Sequence, residues 1–496
     1  MSSMVEHKTV PPEAKGLAQK VVEKRDAGAQ PVARAETSKR AFVGRILCVA
    51  LPVAVWFAPL NLDPQAKHAL AIASFMIVGW ITEALAHAVT GLIGCYLFWA
   101  LGVVNFGAAF SGFANETTWF FFGAVLFGTV ATKSGLARRL AYTVLLKVGD
   151  SYSRLLLGIV ISSFLLTLLV PSGTACVVIM AVVALGLMEA FGLGRGSNIG
   201  RGIFITLTYT AGAFDKMVIA GPASILGRGL IEKTAHVQIF WSLWFLAFLP
   251  CSLVTIFATW RLAVWLYPPE TERLPGGTSF LKEELRKMGP WTHLEKKALV
   301  LMLLAIGLWV TDLIHHVPPS VIGLGIGLFA TLPRLGVLDL EDLKRVNYLP
   351  IFFVAAAISM GDVLVQTKAL GLLTDVMFAW MGPFITNRFS FVLVPYWTAF
   401  VYHIFLGNDI SMIGTGVPLL VNFANQRGLS PLALGMIWTF AAGGKIFVYQ
   451  SAVMIVGYSY GYFDTRDMLR VGLCLTVVES ILLLLLVPFY WPLLGI

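Results

Sequence analysis

An all-helical, polytopic membrane protein is the fold class this sequence predicts. Of its 496 residues 57% are hydrophobic and only 13% charged, a charged fraction about half that of a soluble globular chain. The apolar residues gather into runs of roughly 17 to 25, the length that crosses a bilayer as a helix. A third observation shapes the architecture. Two apolar segments are broken by polar islands at corresponding places in the two halves of the chain, which points to a secondary transporter of two repeats with its site at the repeat interface.

Residues 1–40 are polar, mixed in charge and rich in Ala, Lys and Glu, and predict a disordered cytoplasmic tail. The N-terminal span and first repeat cover 41–266, with spans near 42–60, 67–85, 88–104 and 115–133, an amphipathic stretch from Ser134 to Asp150, a hairpin over 153–191, and spans near 200–228 and 237–266. A polar connector, 267–293, is the only sizeable soluble loop. The second repeat, 294–496, restates the order: spans near 294–315, 319–336 and 347–366, an amphipathic link, a hairpin over 386–424, and spans near 430–460 and 467–494. The count is about eleven transmembrane helices plus two re-entrant hairpins.

Charge sets the orientation. The first link carries Lys133, Arg138, Arg139, Lys147 and Arg154, whereas its counterpart has Lys368 and Arg388 against Asp375. Basic loops stay in the cytoplasm, so the first link is inside, the second outside, and the repeats are inverted. The N-terminus is then cytoplasmic and the C-terminus external. The formal net charge of +9 is spread over short loops and the tail, which reads as topology rather than a nucleic-acid patch. Cys48, Cys95, Cys176, Cys251 and Cys474 lie in apolar runs without metal spacing, so they read as core residues, with no metal site and no cofactor.

The islands are the candidate binding elements. In Leu168 to Val177, Pro171 removes a backbone donor, Gly173 relaxes the chain, and Ser172 or Thr174 can cap a helix restarting at Ala175. In Phe405 to Met412, Gly407 breaks the helix and Asn408 or Asp409 can cap its restart. A helix start with free amides at membrane depth is an anion site. Each island follows a matching helix end, Thr132-Lys133-Ser134-Gly135 and Thr367-Lys368-Ala369-Leu370-Gly371. The tips are expected to face each other across one cavity near the membrane midplane.

Opposite them stand two glycine- or alanine-rich breaks, Tyr209 to Lys216 followed by Gly221-Pro222-Ala223-Ser224, and Ala441 to Lys445 followed by Gln450-Ser451. Ser224 and Ser451 are candidate substrate contacts. Lys216 and Lys445 occupy corresponding places, and an ammonium at membrane depth costs at least ~3 kcal/mol unless paired. Their natural partners are Asp215 for the first and Asp409 for the second, although a lysine can also snorkel to the interface. Tyr209 and Tyr449 can offer a hydroxyl to substrate or simply pack. His403 can titrate or serve as a hydrogen-bonded packing residue. Glu83, near a helix end, is a cap or gate as readily as a substrate contact.

Five stretches resemble one family, the divalent anion:sodium symporters with their sodium-independent dicarboxylate exchangers. They are Trp80-Ile81-Thr82-Glu83-Ala84-Leu85 with Val89-Thr90-Gly91-Leu92; Phe110 to Asn115 with Trp119 and Lys133 to Arg139; Glu283-Glu284-Leu285 with Gly289-Pro290 and Glu295-Lys296-Lys297; Gly461-Tyr462-Phe463 with Arg466-Asp467-Met468; and the islands. The resemblance implies an elevator-type carrier, usually a homodimer, moving di- or tricarboxylates or sulfate. In that family both tips read Ser-Asn-Thr and bind substrate carboxylate beside sodium sites. Here they read Ser172-Gly173-Thr174 and Gly407-Asn408-Asp409, and both depart from the pattern.

The expected function is secondary active transport of small organic dianions, C4-type dicarboxylates or similar, by sodium-independent exchange or proton-coupled uptake in a bacterial inner membrane. The alternatives are sodium-coupled carriage of sulfate, a sulfonate, a tricarboxylate or an aromatic acid, and an anion channel. A channel needs a continuous pore, against which paired mid-membrane hairpins argue. An intramembrane hydrolase using Ser172 and a lysine would gain nothing from a second island, so no enzyme is expected.

Overall fold

A computed structural model describes residues 31–59, 61–170, 172–219, 221–406 and 408–496, with side chains from residue 42 onward. The expected tail up to residue 30 lies outside the described residues, as do Leu60, Ala220 and two positions of the expected tips, Pro171 and Gly407. Among the described residues the fold is all-helical apart from an isolated antiparallel bridge between Ser151 and Arg273. A helix satisfies its own backbone donors and acceptors, which is what an apolar surrounding demands.

The first four expected spans are α1 (Pro31–Phe57), α2 (Pro64–Thr82), α3 (His87–Ala100) and α4 (Glu116–Ser134). Helix α1 begins inside the stretch read as tail. Asp63 and Asn115 accept the first amides of α2 and α4, and Glu83, exposed and left-handed at φ 54, ends α2. Gly135, at φ 79, turns the chain by 65° into α5 (Leu136–Val148), the amphipathic arm. The hairpin is α6 (Tyr152–Leu169) with α7 (Gly173–Phe191). Next comes a broken helix, α8 (Asn198–Met217) and α9 (Pro222–Ala235), and then α10 (Trp241–Leu266).

The connector is more ordered than a soluble loop. It carries α11 (Ser279–Lys287), which packs on α5. Backbone bonds from Tyr152 to Glu272 (2.8 Å) and from Leu274 to Asp150 (2.9 Å) pin it to the turn between arm and hairpin. Arg139 of α5 is buried against Glu295, with Nε 2.6 Å from Oε1 and Nη2 3.2 Å from Oε2, and Nη2 also donates to the carbonyls of Met288 and Gly289. Two of the family-like stretches, around Arg139 and around Glu295, therefore meet in one joint.

The second half runs α12 (His293–Val310), α13 (Pro319–Phe329), α14 (Leu349–Gln366), the arm α15 (Ala369–Phe378), the hairpin α16 (Ser390–Phe405) with α17 (Asp409–Arg427), the broken helix α18 (Pro431–Ala441) with α19 (Ala452–Ser459), and α20 (Thr465–Phe489). From α14 onward it repeats the order that starts at α4. The bend equivalent to Gly135 falls at Lys368, φ 58, and not at Gly371, which lies inside α15. Among the described residues six helices are long and apolar enough to cross a membrane, or up to seven if the bent pair α4–α5 is one span.

Helix α17 packs along α9, and α7 along α19, so each hairpin meets the broken helix of the other half. Away from this centre α1 packs on α2, α3 on α14 and α4 on α13. The last pair cross where Gly123 faces Gly323, and a Cβ on Gly123 would stand 2.4 Å from the Gly323 carbonyl oxygen. Small residues permit this backbone approach, which in lipid supplies the packing that holds helices together. Four cysteines are buried as expected, but Cys474 is exposed on the outer face of α20; its place in an apolar run reflects a lipid-facing surface rather than the core.

Candidate functional site

Four helices restart near the centre of the fold, and polar residues shape each start. Ser172 Oγ accepts the Ala175 amide at 3.3 Å and lies 3.0 Å from Thr174 Oγ1. Asn408 Oδ1 accepts the Ser411 amide at 3.0 Å. In the breaks opposite, Ser451 Oγ accepts the Val453 amide at 3.3 Å, while Ser224 Oγ lies 3.2 Å from the Gly221 amide and 3.1 Å from its carbonyl. These bonds satisfy part of what the broken backbone leaves open. Ser224 and Ser451 are both buried.

Between the starts lies a cluster of charges. Lys216 Nζ is 3.0 Å from Asp409 Oδ2, and Lys445 Nζ is 3.1 Å from the same oxygen. The relative exposures of Lys216, Lys445 and Asp409 are 1%, 1% and 5%. The lysines of the two repeats thus converge on one carboxylate at the start of α17. This corrects the expected pairing of Lys216 with Asp215. Successive residues of a helix point about 100° apart, so Lys216 reaches across to the second hairpin while its neighbour turns elsewhere.

Asp215 rests over the restart of α9. A Cβ on Gly221 would stand 1.5 Å from Asp215 Oδ1, and that oxygen has no hydrogen-bond partner among the described residues. Gly173 is confined less tightly: a Cβ there would stand 2.8 Å from Val453 Cγ2, 3.2 Å from the Ala211 carbonyl oxygen and 3.6 Å from Asp215 Oδ2. The first tip is pressed against α8 and α19, and a side chain at Gly173 would require its neighbours to shift.

Three further candidates bond backbone carbonyls. The Tyr209 hydroxyl lies 2.7 Å from the Met468 carbonyl and 2.9 Å from that of Lys445, and Tyr449 donates to the Ile404 carbonyl at 2.9 Å. His403 Nε2 is 3.1 Å from the Gln450 carbonyl. Gln450 holds the second break through its side chain, whose Oε1 accepts the amides of Ile446 (2.7 Å) and Phe447 (2.8 Å).

Two residues near the cluster escape sequence reasoning. Glu479 of α20 is 3% exposed, and its Oε2 has no hydrogen-bond partner among the described residues. An ionisable residue inside a 25-residue apolar helix was the available signal. His87, at the start of α3, places Nε2 2.9 Å from Asn408 Nδ2; nothing local in the sequence marks it, because the contact spans 321 residues.

Comparison with known proteins decides the family. A profile described as the sodium:sulfate symporter transmembrane region matches residues 39–496. The chain belongs to this family, the divalent anion:sodium symporters. Within it the chain is similar to the citrate/succinate antiporter of Escherichia coli (strain K12), with 26% identity over 88% of this chain and 94% of the antiporter. It is also similar to the chloroplastic dicarboxylate transporter 1 of Spinacia oleracea, with 27% identity over 90% of this chain and 80% of that protein. Among solved structures the Alcanivorax borkumensis YdaH transporter superposes with TM-score 0.54 and 17% identity, over 93% of this chain and 100% of that one, a likeness of fold alone. In this chain the second tip carries a carboxylate held by two ammoniums.

Proposed function

We propose that the protein is a secondary active carrier of small organic dianions, C4-type dicarboxylates, bound between the hairpin tips without sodium. The observation that carries this reading is the convergence of Lys216 and Lys445 on Asp409 Oδ2 at 3.0 and 3.1 Å. Two ammoniums that already hold one carboxylate oxygen have the charge and reach to hold a substrate carboxylate, with the α7 and α17 starts contributing amides. The names of the similar antiporter and dicarboxylate transporter support the substrate class. A sodium ion 4 Å from either ammonium would be repelled by about 4 kcal/mol at an effective dielectric of 20, which supports sodium-independent exchange or proton-coupled uptake.

The architecture proposed with this function has about eleven crossings. Helices α1 to α4, α10, α12, α13, α14 and α20 each cross once, and each broken pair crosses once. The hairpins enter from opposite faces, the N-terminus is cytoplasmic, and the C-terminus faces outward from a bacterial inner membrane. Family membership supports an elevator mechanism in a homodimer.

Uptake of labelled succinate by proteoliposomes, with all sodium replaced by choline, checks the coupling. The expected rate stays within about twofold of that in sodium, the loss of a site's tight sodium contribution being worth several times more. A strict sodium requirement contradicts the reading of both lysines.

A further inference from the structure

We propose that Asp409 is a tethered counter-anion: it holds on Lys216 and Lys445 the place of a substrate carboxylate, so that the carrier crosses empty and performs net, proton-coupled uptake rather than obligatory exchange. The inference rests on the reading of this cluster as the dianion site.

Both ammoniums are buried and both touch one oxygen of one carboxylate. Burying a charge is costly unless it is paired, and a pair that loses one partner leaves the other uncompensated. A carrier that bound its dianion on two fixed lysines alone would, when empty, move two bare ammoniums through a closed state, and would be confined to exchange. Here the compensation is built into the chain. It also sits at a helix end, Asp409 being the first residue of α17 at the hairpin tip, where the backbone amides have no partner within the helix.

The other charged groups around Asp409 do not duplicate the role. Asp215 of α8 faces the cluster but rests over Gly221 and makes no ion pair with either lysine among the described residues. Glu479 of α20 lies near Gly443, again without an ion pair among the described residues. His403 of α16 faces Asp409 and is held by the Gln450 carbonyl. His87 of α3 touches Asn408, the residue before Asp409.

The exchange of partners balances in protons. A dianion that takes the two ammoniums displaces the Asp409 carboxylate, which accepts one proton from the entry side. After the dianion leaves, Asp409 releases that proton to the exit side and returns to Lys216 and Lys445. One proton moves with each dianion, and no other reactant is needed.

The test compares wild type with Asp409→Asn, using labelled succinate in two vesicle preparations, one empty with the outside acidic and one preloaded with succinate. The ratio of empty-vesicle uptake to exchange is expected to fall at least tenfold in the variant. Succinate binding to the purified wild-type protein is expected to tighten at least threefold from pH 8 to pH 6.5, and binding to Asp409→Asn to be tighter than wild type at pH 8. An unchanged ratio, wild-type uptake only into preloaded vesicles, or wild-type affinity that ignores pH overturns the proposal while leaving the dianion site standing. If succinate neither binds nor moves in any preparation, the dianion reading itself fails and this inference with it. The wild-type measurements decide the matter even if the variant does not fold.

Discussion

Lys216→Met and Lys445→Met each reduce succinate uptake at least a hundredfold in protein that still folds. Methionine keeps much of the length and the apolar stem of lysine, so packing around α8 and the second break changes little. What disappears is one of the two ammoniums that share Asp409 Oδ2. With one lysine left, Asp409 remains paired, and the full penalty of an uncompensated buried charge, about 3–5 kcal/mol, is not incurred. The substrate fares worse, because it must displace Asp409 from a single ammonium and then bind through that ammonium alone. A hundredfold loss corresponds to about 2.7 kcal/mol, within the ~2–5 kcal/mol range for removing one partner of a buried charge pair. Uptake by matched proteoliposomes, beside melting curves of the purified variants, checks this. Either variant retaining more than a tenth of wild-type uptake counts against the site.

Gly221→Ala is expected to lower both melting temperature and uptake, and Asp215→Ala in the same chain to recover the melting temperature. The added methyl would stand 1.5 Å from Asp215 Oδ1 and 2.1 Å from its Cγ. Asp215 is too short to step aside freely, and the space beyond it is bounded by the first tip at Gly173. Overpacking of this kind costs roughly 1–3 kcal/mol, and the displaced carboxylate pushes on the start of α7. Removing that carboxylate relieves the collision, so the two substitutions should not add. Thermal unfolding of both single variants and the double variant measures the coupling; strict additivity would show that Gly221 and Asp215 do not meet as described.

Much of this fold was legible because membrane helices announce themselves by length and composition. The helix breaks were legible too, since glycine, serine and asparagine are weak helix formers that stand out inside apolar runs. The recurrence of order from α4 and from α14 could be read from matched helix ends, although the exact bend could not. Lys368 adopts the left-handed conformation that Gly135 adopts in the first half, and only tertiary packing makes a lysine accept it. At the site, the residues were readable but their pairing was not. Lys216 and Asp409 are 193 positions apart, and helix geometry, not adjacency, chooses Asp409 over Asp215. The empty side of Gly173 likewise becomes intelligible only once Val453 and the Ala211 carbonyl are seen against it. Ser224 and Ser451 were readable as polar residues at the breaks, but that their hydroxyls bond the backbone of the helix starts shows only in the fold.

A structure determined with succinate bound tests the central claim most directly. The account predicts a succinate carboxylate within hydrogen-bond distance, about 2.7–3.2 Å, of both Lys216 Nζ and Lys445 Nζ, with the Asp409 carboxylate moved off them. Succinate bound elsewhere, with both lysines still on Asp409 Oδ2, would contradict it.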